Sequence, residues 1–113
     1  MGAGRMARVH ANAIRAAGGT LVTVYDVVET AVKSLASDTS ASVATSVEEA
    51  LHHPGVHAVL VVTSSDTHVD CIIQAVKAGK AVMCEKPLAP NLSDAQRCID
   101  VLGSPSKQCL SCV

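Results

Sequence analysis

The run His57-Ala-Val-Leu-Val-Val-Thr63 is almost unbrokenly apolar and rich in β-branched residues. A strand with one wet face alternates polar and apolar side chains. This one does not, so it reads as a strand covered on both faces, the pattern of a central strand in a parallel sheet. Parallel neighbours need a crossover between them, usually a helix, and that requirement limits the folds open to the chain more than any other feature.

The rest of the sequence meets it. Arg5 to Ala17 reads as a helix, with Met6, Val9, Ala13 and Ala17 on one stripe, and Gly18-Gly19 stops it. Thr20 to Tyr25 is a strand closed by Asp26, Val28 to Ser37 a second helix, and Ser42 to Thr45 a short third strand. Ser46 caps a helix carrying Glu48 and Glu49 in its first turn, where negative charge suits the helix dipole. Pro54-Gly55 ends that helix, and the apolar run follows. After it come a polar turn, Ser64 to Thr67, and a helix from His68 to Ala78 with Cys71, Ile72, Ala75 and Val76 inward. Gly79 stops this helix, and Lys80 to Cys84 forms a strand that runs into Glu85-Lys86-Pro87. A last helix opens at Ser93 and Asp94 and ends at Leu102, and Gln108 to Val113 begins one more strand. Strands and helices alternate with short loops, so the expected fold class is α/β, a doubly wound parallel sheet. With no Phe or Trp and aromatics at 1%, the core must be built of Val, Leu, Ile and Ala. At 113 residues, 49% hydrophobic and 17% charged, the chain is one globular domain at most, or part of a larger one. A net charge of −1 argues against a bulk electrostatic grip on nucleic acid or an anionic membrane. No apolar run is long enough to span a bilayer. The front lacks the charged-then-apolar order of a signal peptide, and with 5 cysteines expected to stay reduced the expected compartment is the cytoplasm.

At the very front stands Gly2-Ala3-Gly4-Arg5-Met6-Ala7, a G-x-G-x-x-A loop opening a helix. Such a loop lets backbone N–H groups approach a pyrophosphate, and the helix behind it aims its positive end at the same charge. Gly2 suits the tight turn, Gly4 leaves room for the phosphate, and Ala7 keeps helix and sheet close. The motif should follow a strand, and here only Met1 precedes it. Asp26 follows about 20 residues on, the spacing at which a strand-end acid meets a ribose diol; read alone, it is equally a turn or helix-cap residue. Its charge would repel a 2′-phosphate, and Val27 and Val28 offer that group nothing, which favours NAD over NADP. Lys86 lies at the carboxyl end of a later strand, the edge that lines the ligand crevice in open α/β sheets. Pro87 restricts it to extended backbone. A partly desolvated lysine beside a cationic ring suits proton transfer, although Lys86 by itself also reads as an ordinary surface residue.

Gly2 to His10, Asp26, Val61-Val-Thr-Ser-Ser-Asp-Thr-His68, Gly79-Lys80 and Glu85-Lys86-Pro87-Leu88-Ala89 together resemble the amino-terminal half of the glucose–fructose oxidoreductase / inositol dehydrogenase (Gfo/Idh/MocA) family. The resemblance runs from Gly2 to Gly103, and the Glu-Lys-Pro triplet with the Thr-to-His turn before it is its most specific part. It implies a Rossmann-type sheet and an NAD(P)-dependent oxidoreductase acting on sugars, inositols or related polyols. It places Gly2, Gly4, Arg5 and Met6 around the pyrophosphate and Asp26 on the adenosine ribose. Thr63, Ser64 and His68 would line the cofactor, Glu85 would face the nicotinamide ribose, and Lys86 would contact the substrate hydroxyl as the catalytic residue. It also implies a proton relay shared with an Asp/His pair from a carboxy-terminal α/β domain, and homo-oligomeric full-length relatives.

Two departures from that pattern set further expectations. The opening strand, the middle of the sheet in the usual 3-2-1-4-5-6 order, is missing, which should expose ladder edges on the Leu21–Tyr25 and Ala58–Thr63 strands and unseat the glycine loop. The substrate-binding half is missing too, so residues 1–113 are expected to be a partial dinucleotide-binding domain, inactive alone. Other features read as structural. His52-His53 with His57 flank a helix-to-strand connection rather than form a metal site, and Cys109 and Cys112, three apart on a strand, face opposite sides. His10 reads as a packing or surface residue, and Cys71, Cys84 and Cys98 as small core residues. A non-catalytic nucleotide-binding module remains the competing reading. An S-adenosylmethionine methyltransferase shares the loop and the acid but has no use for Glu85-Lys86-Pro87.

Overall fold

The computed structural model describes residues 1–103 and the backbone of 110–112. The chain divides into two compact units, Met1–Val56 and His57–Val113. Among the described residues every strand pairing is parallel, in one sheet of two strands and one of three.

The first unit runs α1 (Arg5–Ala16), β1 (Thr23–Val24), α2 (Glu29–Thr39), β2 (Ser42–Val43) and α3 (Val47–His52). Thr23 lies opposite Ser42 and Val24 opposite Val43. Bonds from Ser42 N–H to the Val22 carbonyl (3.0 Å) and from Ala44 N–H to the Val24 carbonyl (2.9 Å) extend the pairing at each end. The crossover is α2, which buries Val32, Leu35 and Ala36, the i, i+3, i+4 spacing of one helical face. The α1 stripe differs from its expectation. Met6 is 44% exposed and Val9 52%, Ala13 is exposed as well, and the buried residues are Ala7 and Ala11. In a helix so rich in alanine the larger side chains do not mark the inner face. Two alanines four apart, Ala7 and Ala11, do. At α3 the Ser46 hydroxyl accepts the Glu49 N–H (3.0 Å), and Glu49 reaches back to the N–H and hydroxyl of Thr45, both at 2.6 Å.

The second unit runs β3 (Ala58–Val61), a 3-10 turn (Ser65–Thr67), α4 (His68–Lys77), β4 (Ala81–Cys84), α5 (Leu92–Leu102) and β5 (Leu110–Cys112). Its order is β3-β4-β5, with Val59 opposite Val82 and Val61 opposite Cys84. The crossover α4 packs on both β3 and β4 and buries Val69, Cys71, Ile72, Ala75 and Val76. Burial on the strands alternates: Val59, Val61, Val82 and Cys84 are buried, whereas Ala58, Ala81 and Met83 are exposed. The expectation of strands covered on both faces is corrected here, since α4 covers only one of them. A second correction concerns α5. Its cap is Asn91, whose side-chain oxygen accepts the Asp94 N–H at 2.9 Å, so the helix opens at Leu92 rather than at Ser93. Of the expected last strand, the part outside Leu110–Cys112 lies beyond the described residues.

No described strand joins the two sheets. The glycine loop is nevertheless held in place, contrary to expectation: Gly2 N–H donates to the Tyr25 carbonyl (2.8 Å) and Ala3 N–H to Asp26 Oδ2 (2.7 Å). Its anchors are the end of β1 and the acid beyond it, both of which the chain contains. Among the described residues no helix is long and apolar enough to cross a membrane.

Candidate functional site

The first unit brings together the loop and the acid that the sequence separates by about 20 residues. Gly2 is buried at φ +100°, a left-handed turn that disfavours any side chain. Gly4 differs. Its φ is −80°, it is exposed, and a Cβ built on it would meet nothing within 4 Å. No internal contact calls for glycine there, so the space above it is available to whatever approaches the start of α1. That helix start has no side-chain cap and no acid in its first turn, which leaves its leading N–H groups for an anion. Arg5 and Met6 flank it, both exposed.

Asp26 is part-buried and accepts twice, from Ala3 N–H at Oδ2 and from Val28 N–H at Oδ1 (2.9 Å). The Val28 bond makes the turn that a structural reading of Asp26 expects. The Ala3 bond ties the same carboxylate to the glycine loop. Each oxygen retains a lone pair, so the turn and a ribose diol do not compete for the group. Val27 and Val28 beside it are 85% and 52% exposed and present apolar surface only.

The second unit gathers the loops that follow β3 and β4. The Thr67 hydroxyl donates to the Ser64 carbonyl and pairs with the Thr63 hydroxyl, both at 2.8 Å, and Thr67 N–H donates to the same carbonyl at 3.0 Å. These bonds fix the Thr63–Thr67 turn, in which Ser64 is exposed. Beyond β4, Glu85 N–H donates to the Val61 carbonyl (2.9 Å), which carries the β3–β4 pairing one residue further. Glu85 is half-buried, and its Oε2 lies 3.3 Å from Lys86 N–H. The Lys86–Pro87 peptide bond is cis, and the Lys86 side chain is exposed.

His68 departs from its expected place along the cofactor. It is 2% exposed, with Nδ1 at 2.8 Å from the Pro87 carbonyl and Nε2 at 2.9 Å from the Thr63 carbonyl. Its ring is engaged inside the unit, and what faces outward is the pair of loops it joins. The residues that reading the sequence missed are Thr67 and the carbonyl of Pro87. The four-residue spacing of Thr63 and Thr67 was the available signal for Thr67; nothing in the sequence marks the Pro87 carbonyl.

The neighbouring thiols are packing groups. Cys84 is fully buried with Sγ 3.2 Å from the Glu85 carbonyl. Burial pushes the Cys71 thiol up against the opposing hydrogen bond of the Thr63 side chain, and it pushes the Cys98 thiol up as well. His52 and His53 each set a ring nitrogen against a backbone carbonyl, of Glu48 and Pro54. Among the described residues no three His, Cys, Asp or Glu gather to hold a metal; the Cys109–Cys112 pair lies outside the described side chains.

Residues 1–111 match the oxidoreductase family with an NAD-binding Rossmann fold. The chain is 35% identical over 105 residues to inositol 2-dehydrogenase of Rhizobium meliloti, covering 90% of this chain and 31% of that protein. It is 39% identical over 88 residues to 1,5-anhydro-D-fructose reductase of Ensifer adhaerens, covering 77% of this chain and 26% of that one. In structure it is similar to myo-inositol dehydrogenase of Lactobacillus casei, solved with NAD(H) and myo-inositol: the TM-score is 0.91 at 29% identity, over 98% of this chain and 34% of that one. The chain thus spans between about a quarter and a third of the length of these two curated relatives. With its glycine loop, strand-end acid and Glu-Lys-Pro turn in a parallel α/β fold, the chain belongs to the Gfo/Idh/MocA oxidoreductase family and carries that family's NAD-binding Rossmann fold.

Proposed function

We propose that this chain is the cofactor-binding part of an oxidoreductase that uses NAD in preference to NADP and acts on an inositol, a sugar or a related polyol. The observation that carries the reading is the bond from Ala3 N–H to Asp26. It joins the residue that would hold the adenosine ribose to the loop that would hold the pyrophosphate. Gly2, Gly4, Arg5 and Met6 would surround the pyrophosphate, and the open space at Gly4 fits a phosphate. Thr63, Ser64 and Glu85 serve the nicotinamide half. The nicotinamide ring, when bound, supplies the hydride acceptor. Lys86 is the catalytic residue, touching the substrate hydroxyl and sharing its proton with a relay that none of these residues completes. The substrate is a small molecule, with neither nucleic acid nor membrane as partner, the compartment is the cytoplasm, and full-length relatives are homo-oligomers.

The test separates binding from turnover. Calorimetric titration of the purified chain should show NAD binding more tightly than NADP, and no NADH should form with inositols or sugars. Gly4→Val should abolish NAD binding while costing about 1 kcal/mol of stability, the scale of a weakened helix cap. Equal or tighter binding of NADP would overturn the cofactor preference. Polyol oxidation by the chain alone would overturn the division of labour. Binding of NAD without any activity even when a relative's carboxy-terminal half is fused in frame would favour the competing reading, a non-catalytic nucleotide-binding module.

A further inference from the structure

His68 is the one buried polar side chain among the described residues. A leucine could fill a comparable volume with no demand for partners, whereas a buried imidazole costs free energy unless it is hydrogen-bonded. Its partners account for it. Both ring nitrogens face backbone carbonyls, Pro87 at 2.8 Å and Thr63 at 2.9 Å. A carbonyl oxygen only accepts, so the ring acts as a donor: to one carbonyl in either neutral tautomer, and to both when each nitrogen carries a hydrogen. Those carbonyls belong to the two loops that follow β3 and β4. Lys86 sits between two backbone anchors, one of them made by His68. On one side Glu85 N–H is bonded to the Val61 carbonyl, and on the other the Pro87 carbonyl is bonded to His68. The side chain between them stays exposed. Backbone fixed on both sides of a free-standing side chain is what a group needs if it must meet a reacting atom at a set place.

We propose that His68 is a positioning residue for Lys86, joining the Thr63 loop to the Glu85–Pro87 turn so that the lysine is presented from a fixed backbone. The proposal rests on the reading of Lys86 and its turn as the nicotinamide-facing part of the cofactor site, and its test separates the two.

Titrate the chain with ADP, the half of the cofactor assigned to the glycine loop and Asp26, and with NADH, which adds the nicotinamide half assigned to the Thr63 and Glu85–Lys86 loops. Wild type should bind NADH at least tenfold more tightly than ADP. His68→Phe fills the space but donates nothing. It should bring NADH affinity down to within about twofold of ADP while leaving ADP affinity unchanged, and His68→Gln, which restores a donor, should recover most of the difference. Equal losses for ADP and NADH would reveal a purely structural role and overturn the proposal, as would unchanged NADH binding in folded His68→Phe. If His68→Phe does not fold, His68→Gln and His68→Leu are compared in its place. A second measurement needs no nucleotide: backbone 15N relaxation should show residues 85–88 loosened in His68→Phe with Ile72 unchanged. Should wild type bind neither ADP nor NADH, the proposed function fails, and the relaxation result alone decides the role of His68: an unloosened turn overturns it.

Discussion

Asp26 has two roles that one substitution can separate. Its carboxylate closes a turn with Val28, holds the glycine loop through Ala3, and retains lone pairs for a ribose. Asp26→Asn keeps one acceptor oxygen and loses the charge. Hydrogen bonds to charged groups contribute about 1.5–3 kcal/mol, so NAD affinity should fall roughly 10- to 150-fold by titration. Denaturant unfolding should show about 1–3 kcal/mol of lost stability as well, because either Ala3 or Val28 then faces an amide nitrogen that cannot accept. Loss of affinity with no loss of stability would mean that the Ala3 bond does not hold the loop. His68 and Asp26 share a logic: each is a polar side chain that bonds one backbone atom nearby in sequence and one far away, Thr63 and Pro87 for His68, Val28 and Ala3 for Asp26.

Among the elements, α3 depends most on its cap, since it spans only Val47–His52. Isolated helices of that length do not persist in water. The reciprocal bonds of Ser46 with Glu49 and of Glu49 with Thr45 hold its first turn. Ser46→Ala should cost about 1 kcal/mol in denaturant unfolding. The same cap sets a pH response. The Thr45 hydroxyl and N–H hold the Glu49 carboxyl below its usual value of 4.5. A carboxyl lowered in the folded chain adds stability above its unfolded value and loses it as pH falls through the folded one. Melting temperature should therefore drop on acidification below about pH 4.5, more for wild type than for Glu49→Gln, and NMR titration of Thr45→Val should show the Glu49 midpoint moved upward. The longer helix α4 relies on packing instead, and the charge in its first turn is exposed: Asp70 pairs with Arg97 of α5, which also reaches Asp94 and keeps half its side chain in solvent. Such pairs contribute little.

At the level of the whole chain, the core is made of small aliphatic side chains, so each large one counts for more. Ile72 is 1% exposed, and Ile72→Ala should cost about 2–5 kcal/mol against a total of roughly 5–15 kcal/mol for an ordinary domain. Thermal unfolding should show this variant as the least stable of those described. NAD at a hundred times its dissociation constant should return about 2.7 kcal/mol, raising the melting temperature of wild type and of Ile72→Ala. A melting temperature indifferent to saturating NAD would contradict binding to the folded chain.

Much of this was readable from the residues in order. The alternation of apolar runs with helices fixed the parallel class, because buried strands and crossovers leave period and length signals that survive without tertiary context. Gly2, Gly4, Asp26 and Glu85-Lys86-Pro87 were readable because their chemistry is local: a turn, an opening, an acid at a strand end. What escaped depended on contacts between residues far apart in the chain. Alanine identity did not reveal which face of α1 is buried, and the apolar run did not reveal that α4 covers only one face of β3 and β4. The inward turn of His68 follows from the carbonyl of Pro87, 19 residues away. The glycine loop was expected to come loose, yet Tyr25 and Asp26 hold it. Sequence alone determined which glycines, acids and cations stand at the ends of its strands; tertiary structure decided which of them face outward and which hold the others still, because a hydrogen bond between distant residues leaves no period in the chain.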